Sequence, residues 1–159
     1  MIRAYRLVKR RQSAIAFDGE GARRFGGRWN SKGQACIYLT SSISLGHLEI
    51  MVHISDYHIL GQYVVLSLDL EARDMMVLPD DALPNDWREY PAPLSTAVIG
   101  NEWLAGRESV VLSVPSVIVP SERNYLLNPL HPRFRTIIRT VQEVEFSFDP
   151  RLRSTGIIG

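Results

Sequence analysis

Tyr63-Val64-Val65-Leu66-Ser67-Leu68-Asp69-Leu70 reads as a β-strand, with Val64, Leu66, Leu68 and Leu70 on one face. Upstream, Ile43 to Ile54 is a helix candidate, apolar around most of its circumference and so expected to be largely buried. Thr40-Ser41-Ser42 supplies its N-cap. Ala35 to Leu39 has a strand's composition, and residues 2–8 read as a first strand. Between these two lie residues 9–34, basic, polar and glycine-rich, expected to form a long irregular segment. Downstream, residues 79–93 hold four of the nine prolines and read as loop. Leu94 to Arg107 reads as a second helix, and Val110 to Val114 as a strand stopped by Pro115. Val144, Phe146 and Phe148 alternate with Glu143, Glu145 and Ser147, the pattern of a late strand with one wet face. Strands outnumber helices and do not alternate regularly with them. The fold class is therefore α+β, in a single domain over 1–159.

Composition narrows the function. A length of 159 residues with 45% hydrophobic content suits a soluble domain that needs neither metal nor disulfides to hold its core. A net charge of +1 gives no footprint for direct nucleic-acid binding. One cysteine, Cys36, allows no internal disulfide, and between Ala35 and Ile37 it reads as a buried structural thiol. The N-terminus lacks a signal peptide's apolar run, and no stretch of about 18 apolar residues occurs, so the expected location is the cytoplasm, away from any membrane.

Familiar catalytic patterns are missing. The four histidines form no i, i+4 pair, and no metal-ligand cluster is present, so no metal is expected. There is no phosphate loop of the GxGxxG or GxxxxGK[ST] type and no GxSxG elbow. No pair of carboxylates suggests a two-acid glycosidase.

Three features remain. Gly21-Ala22-Arg23-Arg24-Phe25-Gly26-Gly27-Arg28-Trp29-Asn30 sets three arginines among three glycines. Glycine admits a ligand close to the backbone, arginine grips phosphate in a fork, and Phe25 and Trp29 offer rings for stacking. These types suit a phosphorylated, ring-containing ligand; a solvated basic loop pinned by two aromatics has the same composition. Glu49 is a carboxylate between Leu45 and Val52 in the apolar helix, either functional or paired with an arginine. Val114-Pro115-Ser116-Val117-Ile118 places one hydroxyl among apolar residues, where a turn serine is the plainer reading.

The chain resembles the RES domain family, named for an arginine, a glutamate and a serine, here Arg28, Glu49 and Ser116. The likeness runs through Tyr5-Arg6, Gly26-Gly27-Arg28-Trp29-Asn30, Ile37-Tyr38, Leu48-Glu49, Ile99-Gly100-Asn101-Glu102-Trp103-Leu104 and Val114-Pro115-Ser116. It continues through Asn124-Tyr125-Leu126-Leu127-Asn128-Pro129, His131-Pro132 and Phe148-Asp149-Pro150-Arg151-Leu152. It implies an ADP-ribosyltransferase-like fold, with a central mostly antiparallel or mixed sheet flanked by helices. It also implies a toxin of a type II toxin–antitoxin pair that depletes cellular NAD, as a NAD phosphorylase or glycohydrolase. The alternative it carries is ADP-ribosylation of a cellular protein. The implied partner is an Xre-type helix-turn-helix antitoxin, in a hetero-oligomer. NAD would be a substrate, with inorganic phosphate a candidate co-substrate and no resident cofactor.

That chemistry fits one strong carboxylate without histidine or metal. The nicotinamide of NAD is already cationic and leaves neutral, so no general acid is required; an oxocarbenium-like ribose needs negative charge nearby. On this basis Glu49 is assigned to the ribose, Arg28 to the pyrophosphate and Arg6 as a second cation there. Tyr38 is expected to stack on or border the nicotinamide, Ser116 to position the ribose or a neighbouring group, and Asn124 to form the pocket wall. A ribonuclease toxin lacks its histidines here, and a non-enzymatic module would bind NAD without turning it over.

Overall fold

The computed structural model describes residues 1–153. One seven-stranded sheet organises them. Its strands are β1 (Ile2–Lys9), β2 (Ile37–Thr40), β3 (Tyr63–Leu70), β4 (Met75–Val77), β5 (Val111–Pro115), β6 (Arg123–Leu127) and β7 (Gln142–Val144). The helices are α1 (Glu20–Phe25), α2 (Ile43–Met51), α3 (Leu94–Gly106), α4 (Phe134–Ile138) and α5 (Pro150–Arg153). The strand order is β4-β5-β6-β2-β1-β3-β7, antiparallel throughout except for the β4–β5 pair. The architecture is the expected α+β, with a mixed sheet and helices.

β1 and β3 pair along their whole lengths, from Ile2 opposite Leu70 to Lys9 opposite Tyr63. β5 and β6 are covered on both faces, which explains their continuous apolar runs. Val111 and Leu127 join a cluster with Ala4, Ile37, Leu39 and Leu68, while their neighbours Leu112 and Leu126 join Trp29, Cys36, Trp103 and Val114.

Several expectations need correction. Residues 9–34 are not one irregular segment: a 3-10 helix spans Arg10–Ile15, and α1 follows, ended by Gly26 at φ +71, a left-handed conformation that costs glycine little. The second strand begins at Ile37 rather than Ala35 and runs to Thr40. α2 stops at Met51 and is not largely buried. Only Leu45 and Gly46 are fully covered, and Val52 just beyond it is exposed. Its start is as expected, with Ser42 Oγ accepting from the Leu45 N–H at 3.0 Å. β4, β6 and α4 lie where no element was expected. The late strand covers only Gln142–Val144; Phe146 and Phe148 lie beyond it, stacked edge to face on each other.

Candidate active site

A cleft of about 1180 Å³ opens against β1, β2 and the start of β6, walled by the 26–31 loop and by α2. Arg6, Arg28, Tyr38, Glu49 and Asn124 all line it.

The glycine-rich run becomes a tight turn. Gly27 N–H donates to Asn30 O at 2.9 Å, and Asn30 N–H returns to Gly27 O at 3.4 Å. Arg28 and Trp29 sit at its tip. Trp29 is 3% exposed and packs in the core, so it offers no stacking surface and that expectation fails; Phe25 is exposed on the cleft rim. Tyr38 knots the turn: its hydroxyl accepts from Trp29 N–H at 3.1 Å and donates to Asn30 Oδ1 at 2.6 Å. Burial holds the Tyr38 phenol well above its usual range, so it stays neutral. Its ring borders the cleft while its polar end is fully used.

α3 fixes the turn from the other side. Thr96 Oγ1 donates to Arg28 O at 2.7 Å, and the Asn101 side chain bonds Ser31 through both its atoms, at 2.7 and 3.0 Å. A Cβ on Gly100 would stand 1.6 Å from Trp29 O, so only glycine lets the helix touch the turn. Sequence reading assigned no role to Asn30, Thr96, Gly100 or Asn101. Gly100 carried a signal, because a glycine inside a helix costs about 1 kcal/mol against alanine and points to a close approach.

Arg28 Nη1 donates to Trp87 O and Glu89 O, both at 2.8 Å, which leaves Nε and Nη2 without acceptors among the described residues. Partial burial lowers its basicity while the Glu49 charge raises it, so the guanidinium remains cationic beside a carboxylate. Arg6 lies on the floor, with Nε on Ala16 O at 2.7 Å and Nη1 on Tyr38 O at 2.9 Å. Burial lowers it too, and no carboxylate among the described residues is bonded to it.

Glu49 projects from α2 toward the ends of β5 and β6. Its Oε1 accepts from Ser116 Oγ at 3.0 Å and from Asn124 Nδ2 at 2.9 Å. No arginine forms an ion pair with it among the described residues. Oε2 carries no hydrogen bond from the described residues, and Glu49 lines the cleft. Ser116 is 0% exposed and does not line the cleft; the neighbouring group its hydroxyl meets is Glu49. It is also the turn residue of the plainer reading, since Oγ accepts from Ile118 and Val119 N–H, each at 3.1 Å. Asn124 Oδ1 is buried with no partner among the described residues. The Cys36 thiol, pushed up to about 12 by burial, is no nucleophile.

The site is thus one oriented carboxylate, two arginines that form no ion pair among the described residues, and a bordering ring. The RES domain model matches residues 3–149. The chain is 47% identical over 149 residues to a "Toxin Res" of Yersinia enterocolitica, covering 94% of this chain and 98% of that protein. It is 35% identical over 150 residues to a "Prs ADP-ribosylating toxin" of a Sphingobium species, covering 90% of each. In three dimensions it is similar to a chain of the M. tuberculosis MbcT–MbcA toxin–antitoxin complex. That likeness has a TM-score of 0.66 at 21% identity, covering 95% of this chain and 86% of the other, and it bears on the fold alone. The chain belongs to the RES family, and the curated relatives it matches here are toxins.

Proposed function

We propose that this RES toxin cleaves the nicotinamide–ribose bond of NAD. The observation that carries the reading is Glu49: a carboxylate held at Oε1 by Ser116 and Asn124, with Oε2 unbonded in a cleft that also holds Arg28 and Arg6. Dinucleotide phosphates meet the free edge of Arg28 and the remaining nitrogen of Arg6. The nicotinamide ring lies along Tyr38. Its ribose faces Glu49 Oε2, which accepts from the ribose hydroxyls and stabilises positive charge as the glycosidic bond lengthens. The leaving ring takes the bonding electron pair and departs neutral. Asn124 forms part of the pocket wall, its Nδ2 given to Glu49 Oε1. NAD is consumed as a substrate, and the acceptor is water or inorganic phosphate.

A second reading, transfer of ADP-ribose to a protein, is favoured by the name of the Sphingobium relative. One experiment separates them. The purified protein is incubated with NAD, with and without phosphate, and the products are identified by mass. Free nicotinamide with soluble ADP-ribose or its phosphate supports cleavage; ADP-ribose fixed on a protein supports transfer; intact NAD defeats both.

The solved neighbour is paired with its antitoxin, which supports an antitoxin partner for this chain. We take that partner to be Xre-type, in a cytoplasmic hetero-oligomer that blocks the cleft. Expression alone should then arrest growth, and co-expression of an Xre-type antitoxin should restore it. No helix of the described residues is long and apolar enough to cross a membrane.

A further inference from the structure

The reaction at Glu49 leaves part of the cleft unused. Between β4 and α3 the chain forms a strap, residues 84–93, fastened on two sides. Arg28 Nη1 binds the carbonyls of Trp87 and Glu89. Arg88 Nε and Nη2 donate to Val117 O at 3.2 and 3.0 Å, and Ser95 Oγ donates to Asp86 Oδ1 at 2.6 Å. A strap so tied presents its side chains with little left to order on binding. The large apolar residue it leaves bare is Tyr90, 85% exposed and lining the cleft. Arg28 is bonded to the carbonyl of the peptide unit that leads into Tyr90. Phe25, three residues before Arg28, is 78% exposed on the same cleft. Single exposed apolar side chains are ordinary; two exposed aromatics lining the cleft that also holds Arg28 are suited to stacking a base whose phosphate meets the guanidinium.

We infer that Tyr90, together with Phe25, stacks the purine base of an adenine nucleotide whose phosphate is held by Arg28. The inference rests on the cleft taking NAD and assigns the end of the dinucleotide remote from Glu49. A face-stacked base is read by its π surface rather than its edge, so the subsite tolerates another purine. Tyr90 sets how tightly the dinucleotide is held and leaves bond cleavage to Glu49.

The test uses binding alone, so it stands apart from NAD cleavage. AMP and nicotinamide mononucleotide are titrated by calorimetry into the intact chain and its Tyr90→Ala, Tyr90→Trp and Phe25→Ala variants, each checked for an unchanged melting temperature. Tyr90→Ala should weaken AMP by roughly 5- to 150-fold, the span of one base–aromatic stack, and Tyr90→Trp should restore it. Nicotinamide mononucleotide should weaken by no more than about threefold, and IMP should bind within several-fold of AMP. Phe25→Ala should act in the same direction as Tyr90→Ala. The inference is overturned if Tyr90→Ala binds AMP as the parent does, if the parent binds no AMP at millimolar concentration, or if both probes weaken equally. A parent that binds AMP through Tyr90 yet leaves NAD intact upholds the subsite and refutes the proposed function.

Discussion

Ser116 Oγ donates its proton to Glu49 Oε1 because it has nowhere else to send it. Both of its acceptor positions are taken by the Ile118 and Val119 amides. The hydroxyl turns two backbone amides into a fixed donor aimed at a carboxylate 67 residues away in the chain.

Ser116→Ala should therefore act through Glu49. It orphans two amides and removes one of the two donors on Oε1, for a stability loss of about 1–3 kcal/mol. The kcat for NAD should fall about tenfold, with KM within about twofold. Steady-state kinetics beside a thermal melt read both effects. A raised KM at unchanged kcat would put the hydroxyl on the substrate.

Arg28 has two tasks, one on the strap and one on phosphate. Arg28→Ala should weaken NAD binding by about 1.5–3 kcal/mol per lost charge-assisted contact, and Arg28→Lys should recover only part, since the planar fork is gone. Because Trp87 O and Glu89 O lose their donor, amide exchange across residues 84–93 should accelerate. Unchanged NAD affinity would remove Arg28 from the pyrophosphate.

Gly100→Ala tests how the turn is held. The added methyl meets backbone, not a yielding side chain, so the helix or the turn must move. A loss of about 3 kcal/mol or more is expected by denaturant titration, with lower NAD turnover in whatever folds. Parental stability would show that α3 does not carry the Arg28 turn.

His47 gives the fold a pH dependence. Its ring meets Phe148 edge to face at 4.6 Å, and its buried Nε2 has no partner among the described residues. Burial lowers its pKa below the ordinary 6.5. The unfolded chain therefore takes up the proton first, and stability is lost as pH falls through about 6.5 toward the lower folded value. His47→Phe keeps the ring contact and removes the titration. Its drop in melting temperature between about pH 7.5 and 5.5 should be smaller than the parent's. Equal drops would place the titration elsewhere.

β3 was legible at both ends because Val64, Leu66, Leu68 and Leu70 alternate cleanly between a polar Tyr63 and Glu71. β6 was hidden by its polar opening, Arg123-Asn124, and β4 by its three-residue length. The pattern of Phe146 and Phe148 mimicked a strand, but those rings pack on each other, and Phe148 on His47, rather than extend a ladder. Glu49 stood out locally as a carboxylate in an apolar helix. Its contacts with Ser116 and Asn124 depend on β5 and β6 lying side by side next to β2, a long-range pairing that no local period encodes. Trp29 misled because a ring beside an arginine suits a ligand or a core equally well, and only the turn geometry sends the two side chains apart.

The central claim is that the Glu49 charge stabilises the ribose as nicotinamide leaves. Glu49→Gln keeps the side chain's size and removes that charge. The direct measurement is the rate of nicotinamide release from NAD by the folded variant, taken with its melting temperature and NAD affinity on the same sample. A fall of about 100- to 1000-fold in rate is expected, with NAD binding close to the parent's and the protein still folded. Near-parental nicotinamide release by folded Glu49→Gln, or a loss of activity that only tracks a loss of folded protein, would contradict the account.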